Sequence, residues 1–400
     1  MNPPPLHGSR TAARDAAGQD DDRQVLQIRF TGQGRDYFWI WAGNLLRLVA
    51  TLGLYYPFAQ ARRRRYFHAH TLVDGHALAY HGSPGWPLRA VAGVLYGAMA
   101  LACALLFGLA LLTTRADATA RHWPAVAGAV AGVLLVTLWP ALWQTSLHHR
   151  LANTSWRGLR LRFTGDVAGA YRALLPQWLP AALLLVLLSV PTPQTGQGAV
   201  AVQWVAGLAG LAMLAMLPLT LARLKRYQHG HCQFAAEHGH MRAPTSAFYR
   251  LALGVGMAGL AGLGLLLLLG AAVPLGSVTV ALVGCGLLLV ALAALALASL
   301  QNLVWGQTRS ARMRFDSQLD PWRLVGMALR HAVLMLLTLG FYRPFAVVHS
   351  ARLRLQAMQV VVRGDPAQWL SGPTRLAPDR RSVGGAGVGG AGVGGANSAH

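Results

Sequence analysis

Charge is scarce in this sequence. Only 12% of its 400 residues are charged, about half the share usual in soluble domains, and a soluble surface cannot be covered with so little. Acids are scarcer still, with 13 Asp and Glu against 35 basic residues, all but one of them Arg. No paired carboxylates fall within the apolar runs, so the acid–base pair of most hydrolytic chemistry and the buried acid of proton-coupled transport are both missing. Cysteine is limited to Cys103 and Cys285 in apolar stretches and Cys232 in a basic loop. That odd, scattered set supports neither a disulfide framework nor a zinc site. No Gly-x-Ser-x-Gly, His-Glu-x-x-His or phosphate loop occurs. Residues 1–24 place Asp20, Asp21 and Asp22 where a signal peptide needs an apolar core, so insertion is expected to rely on internal segments. These absences lead to the expectation of a protein that is not an enzyme and uses no cofactor.

What the chain has is hydrophobic length. Apolar residues make up 54%, gathered in runs at roughly 37–57, Ala90–Leu112, Trp123–Gln144, Leu174–Val190, Ala199–Leu221, Leu251–Val273, Ser277–Leu300 and Leu324–Phe345. A hydrocarbon core of about 30 Å needs about 20 helical residues. The expected fold class is therefore an all-α polytopic membrane protein with about eight hydrophobic helices, six of them clean spans. The first and last are less clean. Asn44, Arg47 and Thr51 form one polar stripe on a helix, and Arg330 and His331 lie inside the last run. A charge at mid-membrane costs roughly 3 kcal/mol or more. Asn44, Arg47, Arg330 and His331 are thus the intramembrane polar candidates, and the arginines either serve function there or snorkel to the surface. These outer two segments either cross or re-enter. Their length is that of a crossing.

The basic residues are not spread evenly. The stretches 58–89, 147–172, 222–250 and 302–323 hold nineteen Arg and Lys, whereas 113–122, 192–200 and 272–276 hold two. The positive-inside rule then puts the basic stretches in the cytoplasm. Arg62, Arg63, Arg64, Arg65, Arg223, Lys225 and Arg226 are read as topology signals and contacts for anionic lipid headgroups. A net charge of +22 is explained this way without nucleic acid.

Short period-two runs join the helices. Leu26, Ile28 and Phe30 alternate with Gln27 and Arg29, and Leu159, Leu161 and Phe163 alternate with Arg160 and Arg162. Both read as amphipathic cytoplasmic strands, as does the run Arg309–Phe315. Internal repetition is visible as well. Thr51–Ala59 returns almost verbatim as Thr338–Ala346. Setting Pro57 on Pro218 also aligns Tyr66, His68 and His70 with Tyr227, His229 and His231. Four imidazoles could hold zinc or nickel. On a helix, however, positions i and i+2 point to nearly opposite sides, and no acid or cysteine spacing completes a metal site. His68, His70, His229 and His231 are therefore weak metal candidates beside a role at the membrane interface.

Several stretches together carry a family likeness. These are Phe30-Thr-Gly-x-Gly34 with Tyr37-Phe38, Asn44-Leu-Leu46, Thr51-Leu-Gly-x-Tyr-Tyr-Pro57 and Arg63-Arg-Arg-Tyr66. Asp74-Gly75, Tyr80-His-Gly82, Arg223-x-Lys-Arg-Tyr-Gln-His-Gly-His231, Gln301-Asn302 and Thr338–Ala346 extend it. In these the chain resembles the YjgN family of bacterial inner-membrane proteins over roughly 25–365. The resemblance implies a multi-pass protein of the inner membrane with no established catalytic or binding residues. Cys232 stands where the family pattern is expected to have an aromatic residue. The expected organisation is a disordered lead over 1–24, a membrane domain with internal repeats over 25–365 and a flexible Gly-rich tail over 366–400. A transporter or channel-like role and a lipid-binding or scaffold role follow about equally from this reading, ahead of a membrane-embedded enzyme. The sequence names no solute and no oligomeric state.

Overall fold

The structure is a computed structural model that describes residues 23–82, 97, 138–189, 196–234, 237–272 and 278–364. The apolar run Ala90–Leu112, most of Trp123–Gln144, nearly all of the lead over 1–24 and the tail over 366–400 lie outside the described residues.

The short strands are the organising element. In chain order they are β1 (Arg23–Phe30), β2 (Thr71–Val73), β3 (His76–Tyr80), β4 (Thr154–Trp156), β5 (Leu159–Phe163) and β6 (Cys232–Phe234). Then come β7 (Glu237–His238), β8 (His240–Met241), β9 (Thr308–Arg309), β10 (Met313–Ser317) and β11 (Met358–Arg363). They form one antiparallel sheet in the order β7-β6-β5-β4-β3-β2-β1-β11-β10-β9-β8. Its two end strands, β7 and β8, are separated in the chain by Gly239 alone, so the ladder closes into a ring through the backbone. A side chain at Gly239 would place its Cβ 2.8 Å from the His229 carbonyl oxygen. Only glycine lets the chain pass there.

The ring is built from one junction used five times. The first residue after a strand donates its N–H to the carbonyl at the end of the helix that leads into the next strand. The bonds run from Thr31 to His70 (2.9 Å), His81 to Asn153 (2.8 Å), Thr164 to His231 (2.9 Å), Arg242 to Gln307 (3.1 Å) and Gln318 to Ala357 (2.9 Å). The register repeats with it, as Phe30 on Thr71, Tyr80 on Thr154, Phe163 on Cys232, Met241 on Thr308 and Ser317 on Met358. Four of these helix-following residues also turn their side chains back one helical turn: Thr71 to Phe67, Thr154 to Arg150, Cys232 to Gln228 and Thr308 to Val304. Cys232 thus occupies a threonine position of the repeat. Between junctions the chain turns at the opposite rim, twice with a residue-glycine pair at positive φ, Asp74-Gly75 and Arg157-Gly158, a two-residue hairpin geometry that Asp-Gly favours. The fifth pair, β11 with β1, joins the two ends of the domain. Leu26, Trp156, Val360 and Val362 meet inside the ring, where truncating an aromatic costs about 3–5 kcal/mol.

Every junction lies on one rim, so every helical excursion leaves from that rim and returns to it. The helices are α1 (Gly34–Ala50), α2 (Tyr56–Ala69), α3 (138–152), α4 (Val167–Ser189) and α5 (Gln197–Gly230). They continue with α6 (Thr245–Ala272), α7 (Val278–Gly306), α8 (Pro321–Leu337) and α9 (Arg343–Gln356). Asp320 caps α8 by accepting from the Trp322 and Arg323 N–H groups, and Pro321 opens it, a favourable start because proline has no N–H to leave unpaired.

Two expectations are corrected here. The fold is not plainly all-α, because eleven strands form a single sheet. Nor are about eight spans seen. Among the described residues, three helices are long and apolar enough to cross a membrane: Gln197–Gly230, Thr245–Gly270 and Val280–Gly306. The outer two runs are hairpins. Each is a 17-residue helix that ends in a tight turn, with Leu52 and Gly53, or Leu339 and Gly340, at positive φ. Thr51 donates its hydroxyl to the Arg47 carbonyl (2.7 Å) and accepts the Tyr55 N–H (3.0 Å). Thr338 does the same with Leu334 (2.6 Å) and Tyr342 (3.1 Å). Pro57 and Pro344 then sit in the first turn of the returning helix. Apolar length suggested a crossing, but β1 pairs with β2 and β10 with β11, so the chain must come back.

Candidate functional site, a cavity at the rim of the strand ring

Where helix ends meet strands, a cavity of about 310 Å³ opens. Its position follows from the repeat. Two residues before each helix-end carbonyl stand His68, Leu151, His229, Trp305 and Leu355, and the first four line the cavity. The His-x-His pairs are thereby split. His68 and His229 face inward, while His70 packs on Tyr66 (4.2 Å) and His231 on Tyr227 (4.7 Å). The outer rings bond the carbonyls of those same tyrosines, so they lock helix ends. Among the described residues no three His, Cys, Asp or Glu groups converge as a metal site.

The inner histidines have defined tautomers. His68 Nδ1 lies 2.8 Å from the Arg64 carbonyl, which can only accept, so Nδ1 carries the proton and Nε2 is an acceptor. His229 Nδ1 lies 3.2 Å from the Thr308 hydroxyl, which itself donates to the Val304 carbonyl, so the imidazole donates there. Burial holds His68 below the ordinary imidazole range, and the charges of Arg150 and Arg64 lower it further against the pull of the carbonyl bond. Burial also pushes the Cys232 thiol up to about 11, which leaves it protonated and unreactive at neutral pH.

The charge in the cavity is unbalanced. Arg64 donates to the Tyr80 hydroxyl (3.3 Å) and lies over its ring, and its charge bears on Arg150. Glu237, the only glutamate of the chain, also lines the cavity. It accepts from Ser310 (2.7 Å) and faces Arg312 at 3.6 Å. Arg64 and Arg150 pair with no carboxylate among the described residues. Leu147, Leu161, Phe234, Met313 and Phe315 line the same cavity. The lining therefore combines cationic and apolar side chains.

The remaining sequence candidates are dispersed. Asn44 is buried, its Oδ1 unpartnered among the described residues, in a smaller cleft with Arg63 and Arg343. Arg47 is exposed and lies over Tyr55, a snorkelling posture. Arg62 is exposed. Arg65 donates to the Gly82 carbonyl (3.2 Å) and Arg226 twice to that of Ala243 (3.2 and 2.9 Å), so both tie helix ends to neighbouring strand exits. Lys225 donates to Gln228, and Arg223 borders the groove between α4 and α5. Arg330 and His331 line a separate cleft. Sequence reasoning passed over Arg150, Glu237, Trp305 and Thr308 as cavity residues. Extending the Pro57 and Pro218 register to every helix end would have found Trp305, the counterpart of His68 and His229.

A ring of strands from which apolar helical hairpins project, with a cationic and apolar cavity at the projecting rim, defines a membrane protein with a ligand-sized chamber beside its helices. Residues 25–384 match the family described as "Bacterial protein of unknown function (DUF898)", and the chain belongs to that family. It is similar to the "Inner membrane protein YjgN" of Escherichia coli (strain K12), with 30% identity over 142 residues, 35% of this chain and 31% of that one. The Salmonella typhimurium protein of the same name is 27% identical over 169 residues, 42% of this chain and 39% of that one. The matched stretches thus span well under half the length of each relative. No solved structure matches.

Proposed function

We propose that this protein is a multi-pass protein of the bacterial inner membrane, with its strand ring on the cytoplasmic side, that binds an anionic amphiphile such as a lipid in the rim cavity. The observation that carries the reading is the cavity's mixed cationic and apolar lining. Arg64 and Arg150, which pair with no carboxylate among the described residues, share the cavity with apolar side chains, and its volume of about 310 Å³ is in the range of small-ligand pockets. The side assignment rests on the basic stretches, whose described residues lie in the strands and in the helices that join them. The inner-membrane assignment rests on the names of the relatives. A channel through the ring is the poorer reading, because Trp156, Leu26, Val360 and Val362 fill its interior.

The test is titration of the purified full chain with short-chain phosphatidylglycerol and phosphatidylcholine, read by fluorescence of Trp305 against a Trp305→Phe background. Saturable quenching by the anionic lipid is expected. Arg150→Gln should weaken it about 10- to 100-fold, the worth of one charged hydrogen bond. Equal response to both lipids, or an unchanged affinity in Arg150→Gln, would reject the reading. Solute flux in proteoliposomes that survives Arg150→Gln would favour transport by another route.

A further inference from the structure

The hairpin of α8 and α9 holds a second basic chamber, independent of the rim cavity. A cleft of about 470 Å³ lies between the helices, lined by Arg330 and His331 on one side and His349, Arg352 and Gln356 on the other. Among the described residues no carboxylate lines it. The two imidazoles stack at 5.6 Å with planes 26° apart. His331 is 4% exposed, and its Nε2 is buried without a hydrogen-bond partner among the described residues. Arg352 spends one N–H on the Gly32 carbonyl (2.8 Å), which fixes it against the end of β1. Arg330 makes no hydrogen bond or ion pair among the described residues. Four cationic or potentially cationic groups therefore face each other with no anion between them. Burial, the neighbouring imidazole and Arg330 all act to keep His331 neutral.

The level of this cleft in the hairpin is informative. Beyond it, toward the turn, Leu336, Leu337, Leu339 and Phe341 are 65%, 74%, 90% and 58% exposed, an apolar tip largely uncovered by the described residues. Six residues separate His331 from Leu337, about 9 Å of helix. A tip that enters the acyl region by about 5–10 Å sets the cleft at the depth of lipid phosphates. We propose that the cleft between α8 and α9 is a phosphate site, held by Arg330, Arg352, His331 and His349, for a phosphodiester or free phosphate anion. Guanidinium groups suit that geometry because they present paired donors to paired oxygens.

The test uses the purified full chain and three probes: inorganic phosphate, phosphatidylglycerol and phosphatidylcholine. Bound lipid is counted by native mass spectrometry, and the unfolding midpoint is followed by circular dichroism. Phosphatidylglycerol is expected to raise the midpoint more than phosphatidylcholine, and Arg330→Gln with His349→Gln to weaken that response at least tenfold. Arg150→Gln should leave the response at this cleft intact, which separates it from the rim cavity. A response to phosphatidylglycerol alone assigns the site to a headgroup, and an equal response to inorganic phosphate assigns it to a free anion. Both uphold a phosphate site. Should the double variant not fold, modification of His349 by diethyl pyrocarbonate in the wild-type chain gives the answer, with several-fold protection by either anion expected. A folded double variant that responds as wild type, or a wild type in which neither anion protects His349, overturns the proposal.

Discussion

The long hairpin of α6 and α7 and the short one of α8 and α9 look alike as apolar runs and behave differently. In the long one, Leu253, Leu260, Leu267, Leu268, Leu282 and Leu289 are each more than 60% exposed, so the helices offer apolar surface on many sides and need lipid around them. In the short one, a cap, a left-handed turn and a returning proline bend the chain back after 17 residues, and buried polar groups line the fold between its arms. Length and hydropathy set whether a helix tolerates the bilayer. The turn and the destination of the next strand set whether it crosses.

That contrast can be broken in several ways. The largest effect is topological. Cysteines placed at Leu52 and Leu339, in a background without Cys103, Cys232 and Cys285, should resist membrane-impermeant maleimide from outside the cell, whereas one at Gly276, between the long helices, should react. Labelling of the Leu52 or Leu339 position from outside would restore the crossing. Next come the glycines. Gly340 sits at φ +90°, so Gly340→Val should cost about 1–3 kcal/mol in chemical denaturation. By contrast, Gly264 in α6 has nothing within 4 Å of a new Cβ, so Gly264→Ala should be neutral or stabilising by about 0.5–1 kcal/mol. Equal effects would mean that the turn is not a distinct device.

The third effect is on pH. His331 and His349 are both held below the ordinary imidazole range, first by burial. The unfolded chain therefore takes up protons before the folded hairpin does. The short hairpin should be fully stable above the ordinary imidazole value of about 6.5 and lose stability as pH falls below it. Hydrogen exchange in α8 and α9 should accelerate in acid while α6 and α7 hold steady, and a flat profile in both would contradict the burial of those rings. The smallest effect is at the cap. Thr338→Ala removes a bonded hydroxyl, and Thr51→Ala does so at the equivalent turn. Each should cost about 1 kcal/mol.

The sequence was legible where chemistry is local. Apolar length, the period-two runs at β1 and β5, the basic asymmetry and the Pro57 and Pro218 register all reached the page, whereas the run Arg309–Phe315 divides into the end of β9, a turn and the start of β10. The closed sheet did not, because β2, β4 and β6 have three residues each, too few to show a period, and β1 meets β11 from the far end of the domain. Leu52 and Leu339 gave no warning either, since a leucine at positive φ is rare. The cavity was half visible. The His-x-His spacing marked two of its walls, while Trp305 and Leu151 at the same positions share no chemistry with histidine.

The meeting of β1 with β11 has a consequence for how the protein is made. β1 and β2 are synthesised close together, but the other edge of β1 has no partner until Met358–Arg363 leaves the ribosome. At about 5–20 residues per second that edge waits on the order of 15–60 s while the long hairpins enter the bilayer. The ring must therefore be assembled last, as a clasp over helices already inserted. Arg29 and Gln27 along the waiting strand give it charge and polarity that discourage premature pairing with other chains.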